Sequence, residues 1–220
     1  MGLDLIVGIL ADSKGSDVEG YEYFKAQFEA VNNALQAEGL PTHHEPEDAK
    51  EPLPWSHQMW GYSGLHYLRR IAANLWIRNE LAEPGDENAH EDPALRDCYE
   101  ELADLSSASK FPHLIYHSDA EGFYLPIPFD DVIFPDEELD VAGGMIGSSH
   151  MLMDECSRLA QILELPLDLD IEAEEVWEAA DSQGEGETKW QRYGIESFTC
   201  LRLYHACKVS IESTCAVVFT

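Results

Sequence analysis

The sharpest constellation of imidazoles and carboxylates is the run His113-Leu-Ile-Tyr-His117-Ser-Asp119-Ala-Glu121. If this run is extended throughout, the period-two alternation of a strand turns His113, His117, Asp119 and Glu121 to one face. Such donors suit zinc, iron or manganese, and would support a metal-assisted hydrolytic enzyme. The competing reading makes residues 118–121 a turn, which breaks the alternation and leaves the polar groups to bond locally. The turn is the stronger reading. No cofactor is therefore expected, with a divalent metal as the alternative.

Other motifs carry less chemistry. Gly143-Gly-Met-Ile-Gly147-Ser-Ser149 lacks the spacing and the lysine of a phosphate-binding loop, so Ser148 or Ser149 is expected to cap a helix. Asp168-x-Asp170-x-Glu172 has Ala173 where a calcium loop needs its turn glycine and Ala179 where it needs glutamate. Cys98, Cys156, Cys200, Cys207 and Cys215 show no C-x-x-C spacing. Scattered thiols in odd number fit a reducing compartment, and the cytoplasm is the expected location.

The aromatic loop Pro54-Trp-Ser-His-Gln-Met-Trp-Gly-Tyr62 follows the acidic segment 45–51. Trp55, Trp60 and Tyr62 are of the types that anchor interfaces, and Glu45, Glu47, Asp48 and Glu51 would flank them with charge. These seven are the candidate partner-binding residues. Covering a core edge is the plainer role for the aromatics.

The elements that must position these groups follow from periodicity. An apolar run from Leu5 to Leu10 reads as a first strand. Ser16 with Glu19 suggests a capping box for a helix carrying the stripe Phe24, Phe28, Val31 and Leu35. Residues 40–62 read as a long polar loop, and a helix follows from Ser63. A second polar loop covers 80–92, and Asp92-Pro93 opens a helix with the stripe Leu95, Cys98, Leu102 and Leu105. Segments 111–117 and 122–129 form the best hairpin candidate. A helix after Ser149 buries Leu152, Cys156, Leu159 and Leu163. Asp170 is expected to cap a short helix with Glu172, Glu174 and Glu175 in its first turn. Thr188 with Gln191 is expected to open a long last helix, and 215–219 a final strand. The expected fold is α+β: a helix-rich single domain over residues 1–220, with a small mixed sheet of about four strands and a buried C-terminal helix.

Charge is the strongest compositional feature. The 220 residues hold 43 Asp and Glu against 13 Lys and Arg, a net charge of −30. Residues 1–188 carry 41 of those acids and a net −32, whereas 189–220 are slightly basic and strongly apolar. The acids cluster in 45–51, 80–92, 130–140 and 164–187. With 45% hydrophobic residues the chain is not a disordered acidic tail. Clustered Lys and Arg are missing, so direct nucleic-acid binding is not expected. No apolar run is long enough to span a membrane. A solvated surface and salt adaptation both account for excess acid, but a surface that holds a basic protein gives it a use. The expectation is an acidic cytoplasmic interaction protein that binds and masks a basic partner, as immunity proteins or antitoxins do.

Overall fold

Leu5 and Val7 are buried and Asp4 and Ile6 half-buried, the alternation of a strand with one face on a core. The computed structural model describes all residues except 1, 2, 49–52, 60, 62, 86, 87 and 103–109. Its strands are β1 (Asp4–Val7), β2 (Trp55–Gln58), β3 (Gly122–Leu125), β4 (Ile146–Ser148) and β5 (Val217–Phe219). Its α-helices are α1 (Ile9–Ser13), α2 (Val18–Ala37), α3 (Ser63–Ile77), α4 (Pro93–Leu102), α5 (Pro112–Ile115), α6 (Ser149–Leu163), α7 (Glu174–Asp181), α8 (Lys189–Arg192) and α9 (Gly194–Ser213). The fold is α+β, helix-rich with one small mixed sheet. No helix among the described residues is long and apolar enough to cross a membrane.

The chain divides into two compact units. One comprises Asp4–His57, His117–Met153 and His205–Thr220, and holds nearly all of the sheet. Strand order is β2-β1-β5-β3-β4, with β5 antiparallel to both neighbours and β3 parallel to β4. Val218 thus stands between Ile6 and Phe123. The α2 stripe packs Phe28, Val31 and Leu35 with Phe123, Leu125, Ile146 and Val218 in one buried cluster. Asp17, one residue past the expected cap, accepts the Gly20 amide at 3.0 Å. Among the described residues the sheet has five strands, where about four were expected. The additional pair, β2 and β4, come from the aromatic loop and the glycine-rich segment.

The other unit comprises Met1–Leu3, Gln58–Tyr116 and Asp154–Tyr204. In α3, Leu65, Leu68, Ile71 and Ala72 are buried, and in α4, Leu95 and Cys98. Asp92 accepts the Ala94 amide at 2.8 Å and pairs with Arg70 at 3.1 Å, so α4 starts where Asp92-Pro93 predicts. Every residue from Ile195 to Leu203 is buried, so the first half of α9 is enclosed on all sides, in line with the buried last helix expected. The Thr188 and Gln191 capping box is present, but it opens only α8. A break at Tyr193 precedes α9.

The hairpin expectation is overturned in its first arm. Residues 112–115 form α5, with Pro112 in its first turn. Its free N–H groups at His113 and Leu114 are taken by the Glu155 carboxylate at 3.0 and 2.7 Å. That partner lies some forty positions along the chain, so aromatic and branched composition alone misassigns the segment.

Candidate functional site: rows of exposed carboxylates

His113 is enclosed within α5, and its backbone amide is bound to Glu155. In the unit that holds the sheet, the buried His117 ring stacks on Tyr124 with centroids 3.9 Å apart. Its Nε2 faces the Phe123 carbonyl at 3.0 Å and its Nδ1 the Ser118 carbonyl at 3.2 Å. The Ser118 hydroxyl accepts the Ala120 and Glu121 amides, so 118–121 is a turn, with Asp119 half-buried and Glu121 exposed. The four candidate metal ligands are not gathered into one set. Among the described residues no group of three or more His, Cys, Asp or Glu is placed to hold a metal ion.

The candidate partner-binding residues divide three ways. Trp60, Tyr62 and Glu51 lie outside the described residues. Trp55 is half-buried in β2, its ring 4.5 Å from that of His57. Glu47 and Asp48 both reach Lys14 at 3.3 Å. The Tyr21 hydroxyl and then the Lys14 ammonium hold the Glu47 carboxyl below its ordinary range. Glu45 faces inward instead: it is 4% exposed, with Oε2 at 2.6 Å from His43 Nε2 and 2.8 Å from the Ala216 amide. Its carboxylate is committed to the fold.

Other acids form the exposed surface. In 130–140, Asp130, Asp131, Asp136, Glu137, Glu138 and Asp140 are all exposed, around a 44%-exposed Phe134. Nearby on α2, partial burial and then the charges of Glu121 and Asp140 push the Tyr23 hydroxyl above its ordinary value. Phe134 and Tyr23 were not anticipated; their signal is an aromatic embedded in polar sequence.

The largest set belongs to the other unit. Residues 164–187 hold ten carboxylates, all exposed, and no Lys or Arg. Among the described residues only two of them reach a cation: Glu164 at 4.0 Å from Lys189, and Glu172 at 2.8 Å from Arg202. Helix α7 turns Val176, Ala179 and Ala180 inward and Glu174, Glu175, Glu178 and Asp181 outward. It starts after Ala173 with no side-chain cap, three residues beyond the expected cap at Asp170, which instead accepts the Glu172 amide. Helical geometry places Glu174, Glu178 and Asp181 within about 60° of arc, with Glu175 about 100° from Glu174. The four charges span about 10.5 Å of axis, in steps of about 1.5, 4.5 and 4.5 Å. Beside this row opens a cleft of about 250 Å3 lined by Glu175, Glu178, Glu185 and Gln191.

Such a row is costly to a short helix, because like charges three and four positions apart repel. The arrangement presents exposed negative charge along one short helix.

Neither a curated protein nor a solved structure matches the chain. A family model does match, over residues 1–219, and its description is "Putative DNA-mimic protein". That finding corrects the partner expectation, which named an unspecified basic protein and set nucleic acid aside. In that description DNA enters as the object imitated. With all but the last residue inside the match, the chain belongs to this DNA-mimic family.

Proposed function

We propose that this protein occupies the DNA-contacting surface of a DNA-binding protein and so masks it, with its carboxylates standing where phosphates would. The observation that carries the reading is the α7 row: four exposed carboxylates within about two turns of helix, none of which reaches a cation among the described residues. Flanking acids at 164, 168, 170, 185 and 187 extend the negative field, which steers a cationic face toward the row. The cleft beside Glu175, Glu178 and Glu185 has room for a lysine or arginine side chain. Five buried free thiols accord with a reducing compartment, and we place the encounter in the cytoplasm.

The test is competition. The full chain is immobilised, exposed to nuclease-treated cell extract, and eluted in parallel with a 20-base-pair DNA duplex and with poly-glutamate of equal charge. Proteins released by the duplex at lower concentration than by poly-glutamate support the proposal. Release by both alike would reduce the surface to a general cation exchanger and end it.

A further inference from the structure

Helix α7 has little to hold it in place by itself. Eight residues are too few for an isolated helix to persist in water, it has no side-chain N-cap, and its last turn carries Asp181 and no base. Its geometry must therefore come from what it packs against in its own unit.

That support is one ridge of α9. Gly194, Phe198 and Arg202 follow at intervals of four residues, which puts them on one side of the helix over about 12 Å, the length of α7 itself. At the first position, a Cβ on Gly194 would collide with the carbonyl oxygen of Ala179, so the two backbones touch there. At the second, the Phe198 ring meets Trp177 of α7 edge-on, with centroids 4.8 Å apart. At the third, the Arg202 guanidinium lies 3.6 Å from the Phe198 centroid and 4.9 Å from that of Trp177. Its Nη2 reaches Glu172 at 2.8 Å, two residues ahead of α7.

Arg202 is an expensive way to fill this space. The residue is 1% exposed, and its Nε and Nη1 are buried without a hydrogen-bond partner among the described residues. An apolar side chain of similar length would avoid that desolvation. What the arginine supplies, and an apolar chain would not, is a planar cation that stacks on two rings and reaches one carboxylate at once.

We infer that Arg202 is a positioning residue for the acidic row: by clamping Glu172 and Trp177 to the α9 ridge, it fixes α7 so that Glu174, Glu175, Glu178 and Asp181 stay turned outward together. The inference rests on the DNA-mimic reading of α7.

Electrostatics and positioning predict opposite signs. Arg202→Met makes the full chain one unit more negative, so charge alone would tighten its hold on a cationic probe. Loss of the clamp weakens it. The probe is fluorescein-labelled nona-arginine, titrated at several salt concentrations. Expected is a weakening of about ten-fold for Arg202→Met, with faster amide hydrogen exchange at residues 176–181 and unchanged exchange in α9. Arg202→Lys keeps the charge and the fold but not the planar stack, and is expected to weaken binding as well. Unchanged or tighter binding by both variants, or weakening without faster exchange in α7, would overturn the inference. The paired Glu174→Gln and Glu178→Gln variant separates the two levels. If it binds nona-arginine as the parent does, the α7 reading itself falls, and Arg202 with it. If it weakens binding while the Arg202 variants do not, only the positioning role is lost.

Discussion

Glu155 Oε2 accepts the backbone amide of Leu114 at 2.7 Å, 41 positions back along the chain, while its other oxygen takes the His113 amide at 3.0 Å. Helix α5 is thus capped by a side chain from α6, and the carboxyl is wholly enclosed. Burial outweighs the two donors and pushes its pKa up to about 8. The unfolded chain ionises this group near its ordinary value of 4.5. Between those limits the folded state holds the proton and the unfolded state does not, so stability falls as pH rises. The slope from this one group approaches about 1.4 kcal/mol per pH unit and flattens above pH 8. Glu155→Gln leaves one N–H without an acceptor, at a cost of about 1–3 kcal/mol. Its unfolding free energy should nevertheless decline less than the parent's from pH 5 to 8. Parallel slopes in urea titrations across that range would show that Glu155 is ionised throughout.

Gly194 makes an independent prediction about the α9 ridge. Alanine at this position meets the Ala179 carbonyl, and neither backbone can yield without moving α7. Gly194→Ala should destabilise by about 2–3 kcal/mol, although alanine favours helix over glycine by roughly 1 kcal/mol elsewhere. Thermal melting decides: a raised midpoint would mean that the two helices do not touch there.

The sequence was most legible where its signals are local. The Phe28, Val31 and Leu35 stripe, the Asp92-Pro93 start and the Thr188 and Gln191 box each involve residues within a few positions of one another, and all three are present. Segment 111–117 was misread because the group that completes it as a helix, Glu155, lies far along the chain. Glu45 departs from its expected surface role for the same reason: Glu47 is half-buried and Asp48 exposed, but the amide Glu45 serves belongs to Ala216, 171 positions away. The acidic row was visible in part. Glu174 and Glu175 stand out as first-turn acids, and Glu178 and Asp181 follow at helical spacing whichever residue starts the helix. The start at Glu174 is not legible, and it leaves Glu172 ahead of the helix, where it meets Arg202.

Glu45 therefore behaves as a core residue among surface acids. Removing its carboxylate strands the Ala216 amide and the His43 ring in a dry site. Glu45→Ala should cost about 3 kcal/mol. Asp48→Ala, three residues on and exposed, should change stability by no more than about 0.5 kcal/mol despite its contact with Lys14. Urea midpoints of the two variants test this directly. Equal small shifts would return Glu45 to the solvent-facing acids.

Glu178 tests whether α7 trades stability for its charge row. It has like-charged neighbours three positions away on each side, Glu175 and Asp181, and a third four positions back, Glu174. Each such pair opposes the helix by about 0.2–0.5 kcal/mol. Glu178→Gln removes all three repulsions without changing shape, so the variant should be more stable by roughly 0.5–1.5 kcal/mol at low salt. Screening at 1 M NaCl contracts the Debye length to about 3 Å and should erase most of the difference. The same substitution should weaken binding to any protein that DNA displaces from this chain, because it deletes one position from the middle of the row. A variant that gains stability and loses binding together is what a surface built for a cationic partner requires. Charges present only for solubility would show the first effect without the second.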